Sequence, residues 1–483
     1  MRAFRDPLLI CIIVLSLLLG LAVLNRGHDW GDDFASYIMQ AKSIWTGTMP
    51  EFVEHNRFTI TQSSIVIGPV AYPWGYPLIL VPAYALKGTS ALALKLPGLM
   101  FFIGFLVVLF LLTKDRLTRT GSLLLVSLFA FNPLLVDFHN QILSDIPFLF
   151  FSTLALWLMV RRDRSNPRAA ILLGVVIAAA FFIRTQGILL LGSYGLAALF
   201  RLWKNRVDRE VAKSIIRALL LVCGSFGLLW LVYALIFPGG GESYFSQYKD
   251  FRLEKVFGYL RGYFRVFSEF FGEADGWEYL YYFLFAFFLV GLWNRRKTET
   301  VFIVFYAVWM LLLASWPAWQ GPRFIFPLLP VFFYFVFQGM DVVIHRFAER
   351  PRAWIQRGAT AFWLVIIGMF LFQSGVQAWE NLTQDRKPSS AFEPFSMDMY
   401  EFIREKTAPE SVIVFFKPRA MRLFTERDSY MALTCAELTR GDYVVINHLA
   451  ENSQVPEDEV DECGIPLQVV FENRRFLVFK LLK

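Results

Sequence analysis

The chain has 483 residues, of which 56% are hydrophobic, 17% aromatic and only 18% charged. Soluble domains carry about 25% charged residues and few long apolar runs, so this composition excludes an ordinary soluble domain. The net charge of +7 is spread over short segments between apolar runs. That arrangement is typical of membrane proteins rather than of a nucleic-acid-binding surface.

Long apolar segments predict a multi-pass α-helical membrane protein, because about 18 or more nearly uncharged residues suffice to span a bilayer. The first segment follows Arg2 and Arg5 but is too long for a signal-peptide core, and no A-x-A site follows it. We therefore expect it to be an uncleaved helix. Eleven spans are predicted, at 7–24, 95–113, 120–136, 144–160, 169–184, 186–202, 214–237, 278–293, 299–315, 323–340 and 358–375. An interfacial or re-entrant element is expected at 74–88.

The basic loops indicate the topology. With the N-terminus in the cytoplasm, the inner loops contain dense Lys and Arg clusters such as "TKDRLTRT" and "RRDRSNPR". The acidic loop at 25–75 and the segment "VDFHNQILSD" then face outward, which satisfies the positive-inside rule. An odd number of spans places the C-terminus outside the membrane.

The last hundred residues differ from the rest in having mixed charge and alternating apolar residues. Four strands are predicted there, at 411–416, 442–447, 467–471 and 475–480, with an amphipathic helix at 396–407. We therefore expect two domains, a membrane domain at 1–379 and a small extracytoplasmic α/β domain at 380–483. Cys435 and Cys463 both lie in the second domain, so a disulfide between them is one outcome and free thiols the other.

An acidic pair, Asp32 and Asp33, opens a helical stretch directly after the first span. Aspartate is favoured at helix N-termini because it caps backbone N–H groups and complements the helix dipole. A carboxylate at the membrane surface can also act as a general base. Viewed alone, the pair favours capping over catalysis.

Further polar residues lie in the other predicted outer segments. The aromatic "AYPWGYP" segment, with Tyr72 and Tyr76, fits either a rigid interfacial belt or a binding surface. Asp145 opens a span, where an ionisable group is costly unless it is paired, functional or a helix cap. Arg184, Gln186 and Arg323 lie at span ends. Arginine suits phosphate binding, although snorkelling or pairing with Asp145 would also explain it.

Common cofactor motifs are absent from the sequence, which has no HExxH, Walker loop, GxGxxG or CxxC. His28, His55 and His139 would share the outer face, so a divalent cation bound with Asp32 or Asp145 stays open. No cofactor is otherwise predicted. An outward-facing site is separated from cytoplasmic nucleotide sugars, and a sugar donor there would be lipid-linked.

Taken together, these segments resemble the integral-membrane GT-C glycosyltransferases, in particular bacterial relatives of the protein O-mannosyltransferases and the aminoarabinose-to-lipid A transferases. The first outer loop carries the family's acidic pair, tyrosine and helix-ending glycine, and a proline-rich element follows. "NPLLVDFHNQILSDIPFLFF", "GPRFIFPLLP" and "KPRAMRLFTERDSY" resemble later family segments. The matching positions are Asp32, Asp33, Tyr37, Ala41, Gly47, Tyr72, Pro73, Pro77, Gly88, Asp145 and Arg323. Asp33 departs from the family, in which glutamate is commoner.

The resemblance implies transfer of a sugar from a polyprenyl-phosphate donor to a protein, lipid or glycan acceptor at the outer face, with inversion. By this resemblance Asp32 is the general base, and Asp33 and Asp145 orient the acceptor or the base. Arg323 and Arg184 would bind the donor phosphate. Substrate contacts are expected from Tyr37, Tyr72, Tyr76, His139 and Gln186. If Asp32 is the base, the capping role falls to Asp33.

Two other functions fit parts of the sequence. A transporter or flippase of lipid-linked saccharides would place its charges near the membrane midplane, often between repeated halves, whereas these charges cluster at one face. An oligosaccharide polymerase or ligase would differ mainly in the donor. The expected location in each case is the bacterial inner membrane, among membrane lipids, with a cytoplasmic N-terminus and a periplasmic C-terminal domain.

Overall fold

The computed structural model describes residues 6–161, 166–204, 207–241, 252–316, 319, 321–347, 352–383, 390–450 and 453–482. Arg2 and Arg5, and parts of several predicted loops, lie outside these residues. Within the described part of the membrane domain, the helices are α1 (Pro7–Val23), α2 (Asp33–Thr46), α3 (Met49–Gln62), α4 (Gly75–Lys87), α5 (Ala91–Thr113), α6 (Arg119–Ala130), α7 (Pro133–His139), α8 (Asp145–Val160), α9 (Pro167–Ile183), α10 (Ile188–Lys204), α11 (Arg209–Ile236), α12 (Leu253–Val266), α13 (Trp277–Arg295), α14 (Thr300–Ser315), α15 (Leu329–Phe347) and α16 (Arg352–Thr383).

Each of the predicted spans contains a described helix, so the expectation of a multi-pass helical fold is confirmed. Among the described residues, 5 helices are long and apolar enough to cross a membrane, and α6 with α7 would make a sixth span despite a 56° bend. Shorter apolar helices include α1, α8, α9 and α14. The total of eleven crossings stays a prediction.

Local sequence explains where several helices begin. Asp6 accepts a hydrogen bond from the Leu8 amide and is followed by Pro7, so α1 has both a side-chain cap and a favourable first residue. Asn132 caps α7 and Asn166 caps α9 in the same way, each followed by proline. Gly47 ends α2 with a φ of 75°, a left-handed conformation that favours glycine.

Small residues allow the membrane helices to pack closely. A Cβ atom on Gly291 of α13 would overlap the Phe335 carbonyl of α15, and one on Gly339 would overlap the Phe287 carbonyl. The two backbones therefore approach through paired glycines, a common way for helices to associate where the lipid is as apolar as the side chains.

Three helices, α2, α3 and α4, fill the predicted outer loop between α1 and α5. The predicted element at 74–88 corresponds to α4. Asp32, at the start of α2, and Asn56 of α3 contact Arg419 of the C-terminal domain.

The C-terminal domain combines a five-stranded sheet with short helices. Its strands are β1 (Val412–Val414), β2 (Asp428–Tyr430), β3 (Tyr443–Asn447), β4 (Leu467–Glu472) and β5 (Phe476–Leu481), in the order β2-β1-β3-β5-β4. β1 is parallel to β2 and β3, and β5 is antiparallel to β3 and β4. The helices are α17 (Pro394–Lys406), α18 (Pro418–Thr425), α19 (Cys435–Leu438) and α20 (Glu457–Val460).

This arrangement confirms the α/β character and the four predicted strands, while β2 was not predicted. β2 has three residues and begins two residues after Glu426, which has a φ of 61°. Cys435 and Cys463 form a disulfide with a Cα–Cα distance of 5.3 Å, which resolves the alternative that the sequence left open.

Candidate active site

Four charged residues predicted from separate segments meet at the predicted outer end of the bundle. Asp33 is the first residue of α2 and Asp145 the first residue of α8, while Arg184 directly follows α9. Arg323 lies in a 3-10 helix, Pro322–Leu328, that leads into α15. All four positions are helix ends, where loops bring side chains from distant parts of the sequence to one face.

Arg323 joins the two carboxylates. Its Nε and Nη2 atoms donate to the two oxygens of Asp145 at 3.0 and 2.8 Å, and its Nη1 donates to Asp33 Oδ2 at 3.1 Å. Arg184 Nη1 also donates to Asp145 Oδ1. The four side chains form a continuous chain of ion pairs with two positive and two negative charges, which we call the charge cluster.

The charge cluster is closed at one end and open at the other. The Asp145 side chain is 1% exposed and the Arg184 side chain 12%, whereas the exposed fractions are 25% for Arg323 and 30% for Asp33. A buried carboxylate is costly unless it is paired and hydrogen-bonded, and the two guanidinium groups meet this requirement for Asp145. An incoming molecule can therefore reach Asp33 and Arg323 first.

Tyrosine side chains surround the acidic end of the charge cluster. The Tyr72 hydroxyl donates to Asp33 Oδ1 at 2.5 Å, and the Tyr37 hydroxyl lies 2.9 Å from Ser144 Oγ. Burial raises the pKa of both tyrosines, so they stay neutral and able to donate. Tyr76 packs edge-on against Tyr37, with 4.8 Å between ring centroids. Its buried hydroxyl has no hydrogen-bond partner within the described part of the chain.

Gln40, about two turns along α2, fixes the backbone of Tyr72. Its side-chain nitrogen donates to the Tyr72 carbonyl at 2.8 Å, and its oxygen accepts from the Tyr72 amide at 3.2 Å. This paired contact between α2 and the loop before α4 holds the Tyr72 hydroxyl within reach of Asp33.

Asp32 lies apart from the charge cluster and faces the C-terminal domain. Its Oδ1 atom accepts from the Arg419 amide at 3.3 Å, and its Oδ2 atom lies 3.9 Å from Lys417 Nζ. The side chain is 7% exposed, and this burial raises the pKa of Asp32. Asp32 occupies the N-cap position of α2 but makes no side-chain capping hydrogen bond, and Asp33 is the acidic residue of the first turn. The capping role of Asp33 therefore stays a prediction.

Of the two remaining residues predicted to contact substrate, one lies next to the charge cluster and the other does not. Gln186 lies next to the charge cluster, where its Oε1 atom is 3.4 Å from Arg184 Nε. His139 is fully buried away from it, stacked on Phe102 with 5.3 Å between centroids and with Nε2 3.4 Å from the Gly20 carbonyl. The structure therefore does not bring His139 together with the other predicted site residues.

The predicted outer-face histidines are engaged separately. His28 Nε2 accepts from the Ile142 amide at 3.0 Å, and His55 Nδ1 lies 3.0 Å from Asp428 Oδ1. Across the described ranges, no group of three or more His, Cys, Asp or Glu side chains is close enough together to hold a metal ion. Among the described residues, His28, His55 and His139 therefore do not form a metal-binding group with Asp32 or Asp145.

Sequence reasoning missed several residues that shape this site. Lys95 of α5 is buried and donates to the Asn25 carbonyl at 3.2 Å and the Gly27 carbonyl at 2.5 Å, which anchors the loop leading to α2. A lysine within an apolar run is a signal that could have identified it. Ser144 carries no such signal, because serine is common at helix starts. Arg419 lies in the family-like segment "KPRAMRLFTERDSY" but was not singled out there.

A separate cavity of about 580 Å³ lies at the predicted cytoplasmic ends of α5, α13 and α15, where Arg116 and Arg295 line it. It contains none of the predicted site residues. We therefore place the candidate active site around the charge cluster.

The helical bundle with an appended sheet domain has a fold of the GT-C type, as the sequence resemblance predicted. Residues 71–232 match the family model described as dolichyl-phosphate-mannose-protein mannosyltransferase. That segment includes Tyr72, Tyr76, Asp145 and Arg184, but not Asp33 or Arg323.

Solved structures give the more particular comparison. The chain is similar to ArnT from Cupriavidus metallidurans bound to undecaprenyl phosphate, with a TM-score of 0.63, 12% identity and 98% of each chain covered. It is also similar to the archaeal oligosaccharyltransferase AglB from Archaeoglobus fulgidus in complex with an inhibitory peptide and a dolichol-phosphate. There the TM-score is 0.57 at 12% identity, over 92% of this chain and 70% of AglB. No curated protein matches the sequence. At these identities the structural likeness shows the fold, and together with the family match it supports a glycosyltransferase.

Proposed function

We propose that this protein is an inverting glycosyltransferase that moves a sugar from a polyprenyl-phosphate donor to an acceptor at the outer face of a bacterial inner membrane. The observation that carries this proposal is the open end of the charge cluster, where a carboxylate and a guanidinium lie 3.1 Å apart. The bound undecaprenyl phosphate and dolichol-phosphate of the structural neighbours support a lipid-linked donor.

The donor phosphate would bind to Arg323 and Arg184. Guanidinium groups stay charged and bind phosphate oxygens through two parallel hydrogen bonds. Arg323 uses its Nε and Nη2 atoms on Asp145 and its Nη1 atom on Asp33. Exchange of the Asp33 contact for a phosphate oxygen would therefore leave the bidentate pair with Asp145 intact and release Asp33.

The released Asp33 would accept the proton of the acceptor nucleophile. The acceptor oxygen or nitrogen then forms a bond to the anomeric carbon from the side opposite the phosphate, and the bond from that carbon to the phosphate oxygen breaks. Its electron pair leaves with the polyprenyl phosphate, whose negative charge the two arginines stabilise. Proton removal by a positioned base contributes about 10²–10⁴-fold, and fixed charges at the leaving group contribute a similar or larger factor.

The geometry supports Asp33 better than Asp32 as the base. Asp33 is the more exposed carboxylate and contacts Arg323, whereas Asp32 is buried against the C-terminal domain. Asp145 holds both arginines and would position them. Tyr72 would hold the Asp33 carboxylate, and Tyr76 would hold the ring of Tyr37 in place.

Asp33→Asn tests this assignment, and the neighbouring Asp32→Asn is its matched control. Purified protein in lipid bilayers is given a panel of labelled polyprenyl-phosphate sugars with peptide, lipid A and glycan acceptors. We expect Asp33→Asn to lower kcat by about 100-fold or more, and Asp32→Asn by less than about tenfold. Normal turnover by Asp33→Asn, in protein that is folded to the same extent, would overturn the assignment.

The same preparation separates the competing functions. A flippase would move the lipid-linked sugar between leaflets of sealed vesicles without forming a new glycosidic bond. A polymerase or ligase would use lipid-linked oligosaccharides in preference to monosaccharides. Transfer of a single sugar from the monosaccharide donor is the outcome that the proposal requires.

A further inference from the structure

Arg419, in the first turn of α18, extends from the C-terminal domain into the outer loop of the membrane domain. The side chain is fully buried. Its Nε atom donates to Asn56 Oδ1 at 3.1 Å, and its Nη2 atom donates to the Pro69 carbonyl at 2.5 Å. The guanidinium therefore ties α18 both to α3 and to the segment that leads into Tyr72.

The same guanidinium contacts the tyrosine that holds Asp33. Its central carbon lies 5.5 Å from the centroid of the Tyr72 ring. Gly68 has a φ of 133°, and a Cβ there would lie 2.8 Å from the Tyr72 hydroxyl and 3.1 Å from Arg419 Nη1. The glycine thus leaves the space in which the arginine and the tyrosine hydroxyl approach each other.

The backbone of Arg419 reaches the other member of the acidic pair. Its amide donates to Asp32 Oδ1 at 3.3 Å. One residue of the C-terminal domain therefore contacts Asp32 directly and reaches Asp33 through Tyr72. Burying a guanidinium between two domains costs more desolvation free energy than burying apolar side chains. In return, its several hydrogen-bond donors fix the relative orientation of the groups that they contact.

We propose that Arg419 is a positioning residue: it couples the C-terminal domain to the active site by holding Tyr72, and through Tyr72 the carboxylate of Asp33. The inference rests on the proposed function, since it assigns to Asp33 a role in the transfer reaction. Docking of the C-terminal domain then completes the active site rather than covering it.

Arg427 provides a matched control within the same domain. It is also buried, but its donors bind carbonyls inside the C-terminal domain, at Thr425 (3.1 Å), Arg404 (2.8 Å) and Thr407 (3.0 Å). Arg427→Lys therefore perturbs the domain to a similar degree without touching the outer loop. Arg419→Lys keeps the charge but loses the forked geometry.

The kinetic test compares the two lysine variants. We expect Arg419→Lys to lower kcat by about tenfold to 100-fold with KM for the lipid-linked donor changed less than about threefold, because the base is displaced rather than the phosphate site. Arg427→Lys should keep kcat within about threefold. In the Tyr72→Phe background, Arg419→Lys should have little further effect on kcat. Equal losses in both lysine variants, or an undiminished loss in the Tyr72→Phe background, would overturn the proposal.

Hydrogen exchange tests the coupling independently of any substrate. Arg419→Lys should speed amide exchange in peptides covering residues 64–72, while Arg427→Lys should speed it only within residues 404–427. Unchanged exchange at 64–72 in Arg419→Lys would refute the inference even if the transfer reaction is demonstrated. Should no lipid-linked donor support transfer, the proposed function fails, and the exchange result still decides whether Arg419 orders this segment.

Discussion

Replacement of Asp145 by asparagine should destabilise the protein more than any other single change at the charge cluster. The carboxylate receives two hydrogen bonds from Arg323 and one from Arg184, and its side chain is 1% exposed. Asparagine keeps one acceptor oxygen but turns an amide group toward guanidinium donors. The variant therefore leaves two largely buried cations facing one remaining acidic residue, Asp33.

The expected magnitude follows from the cost of removing one partner of a buried ion pair, about 3–5 kcal/mol. Arg184 is the more buried of the two cations and accounts for much of this loss, because water can reach it less easily than Arg323. Relaxation of Arg323 toward Asp33 would recover part of it. We therefore expect the free energy of unfolding to fall by about 3 kcal/mol.

The assay is reversible unfolding of the purified protein in mixed detergent micelles, followed by circular dichroism. Asp29→Asn is the control, since Asp29 is exposed in the same outer loop and its removal should change the free energy of unfolding by less than about 0.5 kcal/mol. If Asp145→Asn matched this control within error, the charge cluster would not be a stabilising ion-pair network and the argument from burial would be wrong.

Two further outcomes are expected in the same unfolding assay. Burial lowers the pKa of His28 to about 4, below the 6.5 of a free histidine. The folded protein therefore favours neutral His28. As the pH falls below 6.5, the unfolded chain takes up a proton that the folded protein does not, and the free energy of unfolding decreases. Between pH 7 and pH 5 the wild type should lose about 2 kcal/mol more than His28→Asn, and equal losses would show that His28 titrates normally. Cys435→Ser opens a cross-link between residues 28 apart and should lower the free energy of unfolding of the C-terminal domain by about 3–4 kcal/mol. The wild type under reducing conditions should show the same decrease in the free energy of unfolding. If Cys435→Ser were as stable as the oxidised wild type, this prediction would be wrong.

Patterns that depend on one segment at a time were predictable from the sequence. The membrane helices follow from the length of apolar runs, and β1, β3, β4 and β5 follow from the alternation of apolar residues. The proline and asparagine residues at the starts of α7 and α9 act locally. Each of these signals depends on neighbours within a few residues, so no tertiary information is needed to read it.

The four members of the charge cluster were all among the predicted site residues on one face, but Asp32 was predicted with them and lies apart from the charge cluster. The sequence did not predict which of the two adjacent aspartates faces Arg323. Asp32 and Asp33 are adjacent in the sequence, but successive residues at a helix start point about 100° apart. Only the packing of the C-terminal domain against one side of α2 determines which carboxylate is buried and which faces Arg323.

The sequence by itself determined that this protein is a multi-pass helical membrane protein with a small α/β domain, and which charged residues are candidates for its site. The tertiary structure decided that Asp33 rather than Asp32 joins the charge cluster, that His139 lies elsewhere, and that Arg419 reaches the acidic pair. The physical reason is the separation in sequence between the residues that interact. Hydropathy and periodicity are properties of a segment, whereas burial of a carboxylate or a guanidinium depends on contacts between residues hundreds of positions apart.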